Sequence, residues 1–161
     1  MTRNKPLIFK LVVASLSLFA AVLVYSFTRI YPPELLVSIQ ATHPGLAAQT
    51  GIFDSAPSFF YTLALGLFIG ASASTLTNAR VHCLVWIGLA ICLELTQHPI
   101  FSEHLSTWLA AILSESTWGL IGPYWTRGVF DPIDLIATLF GGLIALLLIT
   151  HLPMKENNAG S

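Results

Sequence analysis

Four long apolar runs dominate the chain, and short or polar segments separate them. A membrane-spanning helix needs about 20 mostly apolar residues. The runs therefore predict an all-α membrane protein, a single membrane domain over residues 1–161, with four transmembrane helices at about 7–28, 57–77, 81–98 and 132–152. Basic residues before the first run are also typical of a signal peptide. Because the run is long and no A-x-A site follows it, we predict a retained anchor.

The segment between the third and fourth runs carries a helical pattern of its own. Apolar residues recur at i, i+3, i+4, i+7 and i+8: Leu105, Trp108, Leu109, Ile112 and Leu113. Four aromatic residues of the segment suit the headgroup layer: Trp108, Trp118, Tyr124 and Trp125. Together they predict an amphipathic or re-entrant helix at about 104–114 in the outer leaflet. A fifth span is disfavoured, because it would put Ser114-Glu115-Ser116 in the middle of the bilayer.

The distribution of the basic residues predicts the orientation. If both termini are cytoplasmic, five Lys and Arg residues lie on that side: Arg3, Lys5, Lys10, Arg80 and Lys155. Only Arg29 and Arg127 then lie outside. This excess favours a multi-pass membrane protein with both termini inside.

Composition supports a membrane location and narrows the function. The chain is 55% hydrophobic and 9% charged, with a mean hydropathy of +0.75, whereas a soluble domain has about a quarter of its residues charged. A net charge of −1 gives no field that would attract nucleic acid. Cys83 and Cys92 fall on opposite faces of one helix, so they cannot bridge each other. Membrane lipids are the expected partners.

Small residues at four-residue spacing predict close helix packing. They are Gly66, Gly70 and Ser74 in the second run, and Gly141 and Ala145 in the fourth. Small side chains at this interval let two helix backbones approach each other. The pattern favours a tight four-helix bundle, and it is equally compatible with a face that receives another membrane subunit.

Ionisable residues lie near the outer ends of the third and fourth runs. Glu94 and Gln97 share a helix face, and a buried structural role and a functional role are both compatible with the sequence. Asp131, followed by Pro132, has the pattern of an N-cap, and Asp134 then occupies the third helical position. Each acid would stabilise the helix start by about 0.5–1 kcal/mol.

The fourth run continues this polar pattern inwards. Asp134, Thr138 and Gly141 follow one another at i, i+4 and i+7, and such a stripe must face protein or water. Because both runs place their polar ends at the outer surface, we expect Glu94 and Gln97 to meet the acids of the fourth run there. Arg127 is the nearest cation in sequence.

These residues resemble the VanZ-like family of small bacterial membrane proteins. The first element of the resemblance is Glu94 with Gln97 at the end of a span. The second is the segment that opens the last span: Arg127, Gly128, Phe130, Asp131, Asp134 and Gly141. The stretch PSFFYTLALG, from Pro57, is similar to the opening of the family's preceding span. The likeness covers about residues 54–150, and GVFDPIDL is its most specific part.

The resemblance implies a location in the bacterial inner membrane. It also implies a role in the cell envelope, because the family is linked to intrinsic resistance to teicoplanin-type glycopeptides. Two features depart from the pattern. Many members carry Asn where this chain has Thr138, and the insertion between His98 and Arg127 is longer than the family's loop.

No catalytic signature stands out in the sequence. It contains no G-x-S-x-G, no P-loop and no dinucleotide fingerprint, and the histidines of HPIFSEH lack zinc-site spacing. We therefore predict no cofactor and no metal, and a non-enzymatic protein that binds a lipid-linked or amphiphilic molecule at the outer face. Two alternatives stay open: an accessory subunit of a larger membrane complex, and an enzyme acting on a lipid phosphate or peptidoglycan precursor.

Overall fold

Capping residues and prolines divide the chain into six α-helices among the residues that the computed structural model describes, which are 5–28, 54–126 and 130–152. In chain order the helices are α1 (Lys5–Thr28), α2 (Ala56–Ser72), α3 (Leu76–Thr96), α4 (Pro99–Ile112), α5 (Glu115–Thr126) and α6 (Pro132–His151). Within these ranges the regular structure is entirely helical.

Helices α1, α3 and α6 are long and apolar enough to cross a membrane. The predicted second span is shorter, because α2 has 17 residues and ends at Ser72 rather than at residue 77. At 1.5 Å per residue it is about 26 Å long, somewhat less than the roughly 30 Å of a hydrocarbon core. Three candidate spans and one shorter apolar helix thus stand where the sequence predicts four spans.

Helix α2 occupies the middle of the bundle and packs against α1, α3 and α6. The core where these helices meet consists of Ala14, Leu63, Leu67, Ala79, Cys83, Ala145 and Ile149. Most large side chains on the outer faces of α1, α3 and α6 are exposed and apolar, as expected for helices that contact lipid. The two cysteines point in different directions, Cys83 into the core and Cys92 outwards.

Helix α3 spans Leu76–Thr96, so it begins and ends earlier than the third span predicted at about 81–98. The Thr75 side chain accepts a hydrogen bond from the Asn78 backbone N–H and starts α3 at Leu76. A threonine N-cap of this kind satisfies a free donor of the first turn. The link between α2 and α3 is therefore only Ala73 to Thr75, and Arg80 lies on the helix.

The segment between α3 and α6 forms two helices instead of the single one predicted at about 104–114. Helix α4 begins earlier, because the His98 side chain accepts a hydrogen bond from the Ile100 backbone N–H and Pro99 occupies the first turn. It ends at Ile112, so Leu113 lies beyond it. Helix α5 follows after a two-residue turn and packs against α4. We call α4 and α5 together the hairpin.

The hairpin lies at the end of the bundle where α3 stops and α6 begins, and we call this the hairpin end. There the rings of His98 and Phe130 meet with their centroids 5.0 Å apart. At the opposite end, Lys10 Nζ donates a hydrogen bond of 3.1 Å to the Leu152 carbonyl oxygen. The start of α1 and the end of α6 thus share one end of the bundle.

Candidate polar site at the hairpin end

Helix α6 begins with the capping arrangement that the sequence predicts. Asp131 is the N-cap, and its Oδ1 accepts a 2.8 Å hydrogen bond from the Ile133 backbone N–H. Pro132 follows in the first turn, and Asp134 is the acidic residue of that turn. Both carboxylates lie at the positive end of the helix dipole, where negative charge stabilises the helix. Capping therefore accounts for acids at the start of an apolar helix.

Glu94 lies near the end of α3 and is only 7% exposed. Its Oε1 accepts a 3.1 Å hydrogen bond from the hydroxyl group of Tyr61 on α2. A buried carboxylate needs hydrogen-bond partners, because burial removes its hydration. The Tyr61–Glu94 pair therefore satisfies part of this need and joins the middle helix to α3.

Sequence reasoning did not single out Tyr61, although a signal for its surroundings is present. Residues Ser58, Thr62, Gly66 and Gly70 are all buried and follow one another at four-residue intervals. The stripe of small residues thus begins earlier than Gly66 and has a polar half near the hairpin end. Tyr61 lies beside that half.

Tyr124 of α5 brings the hairpin to the same place. Its hydroxyl group interacts with the Gln97 side chain and lies within the electric field of both Glu94 and Asp134. Burial raises the pKa of the Tyr124 hydroxyl, the two carboxylates raise it further, and the hydrogen bond with Gln97 lowers it. Three polar side chains, from the end of α3 and the start of α6, thus converge around the phenol that α5 supplies.

Thr138 extends this group of polar residues into the bundle. It is completely buried, one turn below Asp134 on α6. Its hydroxyl group is close enough to the Tyr61 hydroxyl for the two to interact. We define the hairpin-end cluster as six residues: Tyr61, Glu94, Gln97, Tyr124, Asp134 and Thr138.

Arg127, which the sequence suggests as the cation of this cluster, lies outside the described residues. Asp131 is at the edge of the cluster, where its carboxylate caps α6. In the described part of the chain, no group of three or more His, Cys, Asp or Glu residues is arranged to hold a metal ion.

The predicted packing residues lie where α2 and α6 approach each other, with one exception. A Cβ atom on Gly66 would be 2.9 Å from the Ala145 Cβ, and one on Gly70 would be 2.8 Å from Ile149 Cγ1. A Cβ on Gly141 would meet the Phe59 backbone. The interface between α2 and α6 therefore depends on residues without side chains.

Ser74 is the exception, and the prediction for it is wrong. It is exposed and lies in the turn after α2, because the helix ends at Ser72. A packing residue that the sequence reasoning missed is Gly142, where a Cβ would lie 2.5 Å from Ile87 Cγ1 on α3. Gly141 and Gly142 together let α6 approach α2 and α3.

The predicted interfacial aromatic residues divide into two groups. Trp108 is 60% exposed on the outer side of α4, whereas Trp118 is half-buried and covers Gly122 within α5. Trp125 Nε1 donates a 3.0 Å hydrogen bond to Thr96 Oγ1 and so fastens the end of α5 to the end of α3. Trp108 is thus the most exposed of the four predicted residues and fits a headgroup anchor, Tyr124 is 37% exposed, and Trp125 attaches the hairpin to the bundle.

No protein-family model, curated protein or solved structure matches this chain.

Proposed function

We propose that the protein is a VanZ-like envelope protein of the bacterial inner membrane that binds a lipid-linked or amphiphilic molecule at the outer face, without catalysing a reaction. The observation that carries the proposal is the junction of a polar cluster and an apolar surface at one end of the bundle. An amphiphile has the same two parts, and each would find matching chemistry at this junction.

The polar half of the site is the hairpin-end cluster. Two carboxylates, two phenols, an amide and a threonine hydroxyl offer donors and acceptors within a few residues of the membrane surface. Such groups are costly near hydrocarbon unless they face protein, water or a polar ligand. In this proposal, Arg127, which precedes Asp131 by four residues, engages an anionic head group or orders the acids.

The apolar half is the hairpin. Helix α4 has no buried residue, and α5 buries only Gly122. The hairpin exposes large apolar side chains, namely Ile100, Phe101, Trp108, Ile112, Leu120 and Ile121. A helix pair with this surface is suited to the interface between head groups and acyl chains.

The proposal includes four membrane spans, with α2 as the fourth. Helix α2 is short, but it packs against α1, α3 and α6 along the middle of the bundle. Both ends of the chain are cytoplasmic in this arrangement. Lys10 and Arg80 support it, because both bond to the last residues of α6, at Leu152 and Thr150, and so lie at the same end.

Photocrosslinking tests the binding function. The full-length protein, in nanodiscs of bacterial lipid, is irradiated with a phospholipid that carries a diazirine in its head group, and crosslinked peptides are quantified by mass spectrometry. We expect crosslinks to concentrate in α4 and α5, and to fall several-fold in Glu94→Gln and Asp134→Asn. Glu103→Gln is the matched control, because Glu103 is an exposed acid of α4 outside the cluster. Equal labelling in all variants would contradict the proposal.

The exposed hairpin also favours the alternative function, an accessory subunit of a larger membrane complex. The small residues of α2, which the sequence also offered as a face for another subunit, do not favour it. Gly66 and Gly70 are covered by α6 of the same chain, so that face cannot receive another subunit. Purification in mild detergent from the native membrane separates the two functions. Stoichiometric recovery of other chains, lost when Trp108 and Leu120 are replaced by Ser, would favour a subunit.

A further inference from the structure

Three buried hydrogen-bonding atoms near Tyr61 have no hydrogen bond of acceptable length and angle among the described residues. They are Thr62 Oγ1 on α2, Trp86 Nε1 on α3 and Thr138 Oγ1 on α6. Both threonine residues are 0% exposed. The Trp86 ring meets the Tyr61 ring edge-on, with centroids 6.4 Å apart, and the Tyr61 hydroxyl is close enough to both threonine hydroxyls to interact with them.

These threonines differ from ordinary helical threonines. Within a helix, a threonine hydroxyl usually donates to the carbonyl oxygen three or four residues earlier. Thr107 does so here, with a 2.9 Å bond to the Glu103 carbonyl oxygen. Thr62 and Thr138 make no such bond. A buried polar atom without a hydrogen-bond partner destabilises the folded protein, and such atoms are the usual places where proteins bind internal water.

We propose that water binds between α2, α3 and α6, where it bridges Thr62, Trp86 and Thr138 beside the Tyr61–Glu94 pair. The chemistry of the three atoms selects this ligand. A hydroxyl group can donate or accept a hydrogen bond, but the indole N–H can only donate. The bound molecule must therefore accept at least one hydrogen bond. Water can do so, and an alkali cation cannot.

The bound water gives the bundle a network that reaches all three helices. The Tyr61–Glu94 hydrogen bond joins α2 to α3, and water at Thr138 adds α6 to it. This site lies deeper than the hairpin-end carboxylate of Asp134, and it requires no amphiphile. Tyr61, Glu94 and Thr138 also belong to the hairpin-end cluster, but the tests of bound water below use no amphiphile, so their outcome is independent of the proposed function.

Radiolytic footprinting tests whether water is present. Brief X-ray irradiation of the full-length protein in nanodiscs generates hydroxyl radicals from bound water, and an impermeant scavenger removes those in the bulk. We expect oxidation of Tyr61 to persist in the scavenger, while oxidation of the exposed Trp108 is suppressed. Thr138→Val should lower the Tyr61 signal several-fold. A Tyr61 signal that the scavenger removes as completely as that of Trp108 would overturn the proposal.

The melting temperature gives a second test, because Thr138→Val should change it differently if water occupies the site and if the site is empty of water. If water binds, Thr138→Val removes a hydrogen-bonded hydroxyl and lowers the melting temperature by a few degrees, while Thr138→Ser retains the network. If the site is dry, Thr138→Val removes an unsatisfied hydroxyl and the melting temperature stays the same or rises. Thr77→Val, at an exposed position of α3, is the control for the change of residue type.

A comparison of two salts tests whether a cation, rather than water, occupies the site between the helices. The melting temperature of the wild-type protein should be the same in sodium chloride and in choline chloride at equal ionic strength. A rise in sodium chloride that disappears in Thr138→Val would place a cation between the helices instead of water, and would overturn the proposal.

Discussion

The closest approach between helix backbones that the glycines of the bundle allow is at Gly141, where α6 meets α2. A Cβ atom at this position would overlap the Phe59 carbonyl oxygen and lie 3.1 Å from its carbonyl carbon and 3.3 Å from the Leu63 backbone nitrogen. These are backbone atoms, so no change of side-chain rotamer can make room. Gly141→Ala therefore has to push α2 and α6 apart.

The expected cost follows from these contacts. A carbon atom normally stays about 3.3–3.6 Å from a carbonyl oxygen, so the helices must separate over the whole contact. Overpacking of this kind costs about 1–3 kcal/mol, and the better helix propensity of Ala returns up to about 1 kcal/mol. We expect a net loss of about 1–2 kcal/mol, which lowers the melting temperature by about 3–6 °C for a chain of this size.

Thermal unfolding in detergent, followed by intrinsic tryptophan fluorescence, measures the effect. Gly88→Ala is the matched control, because Gly88 lies on α3 and, among the described residues, no neighbouring group lies within 4 Å of the place that a Cβ would take. This variant should be neutral or slightly stabilising. If Gly141→Ala unfolds at the same temperature as Gly88→Ala, the close approach of α2 and α6 is not part of the folded state.

Three further predictions concern the hairpin end. Asp131→Ala should destabilise the protein by about 1 kcal/mol through loss of the cap on α6, and Asp131→Asn should restore most of it; equal melting temperatures for the two variants would contradict the capping role. Tyr61→Phe should lower the free energy of unfolding by about 1–3 kcal/mol, because it removes a hydrogen bond from a buried carboxylate. The same change should have little effect in a Glu94→Ala background, and additive losses would show that the pair is not coupled. Folding favours the neutral form of Tyr124, because the pKa of its hydroxyl group is raised in the folded protein, so its contribution to stability is complete below about pH 10 and is lost as the pH rises through the folded-state pKa. Tyr124→Phe should therefore unfold less readily than the wild type in alkaline titrations, and parallel curves for the two proteins would refute this.

Local chemistry explains which parts of the fold the sequence predicts. The bounds of α1 and α6 are close to the predicted spans, because uninterrupted apolar composition and, for α6, the Asp131-Pro132 start signal act within one segment. Capping needs only neighbouring residues, so it is visible without tertiary information. The packing role of Gly66 was also predictable, since small residues at four-residue spacing mark a face for close approach.

The errors arise where a local signal is weak or where the partner is distant. Ser74 continues the spacing of the glycines, yet the stronger signal is the Thr75 cap one residue later, which ends the connection and starts α3. The sequence predicts one helix in the hairpin, whereas α5 forms a second one and contains Pro123, a residue that is unfavourable inside a helix. Tyr61 was missed because its partner, Glu94, lies 33 residues away, and no periodicity encodes that contact.

The two ends of the bundle have opposite chemistry, and this links the proposals to each other. Lys10 and Arg80 donate hydrogen bonds to the Leu152 carbonyl oxygen and the Thr150 hydroxyl group, at the C-terminal end of α6 and thus at the negative end of its dipole. The carboxylates of Glu94 and Asp134 lie at the other end, near the positive start of the same helix. Helix α6 thus has charges of the stabilising sign at both ends. The same separation gives the excess of basic residues from which we propose a cytoplasmic location for the Lys10 end. If that orientation holds, the polar cluster must face outwards, so the orientation and the outward-facing binding site are one proposal rather than two.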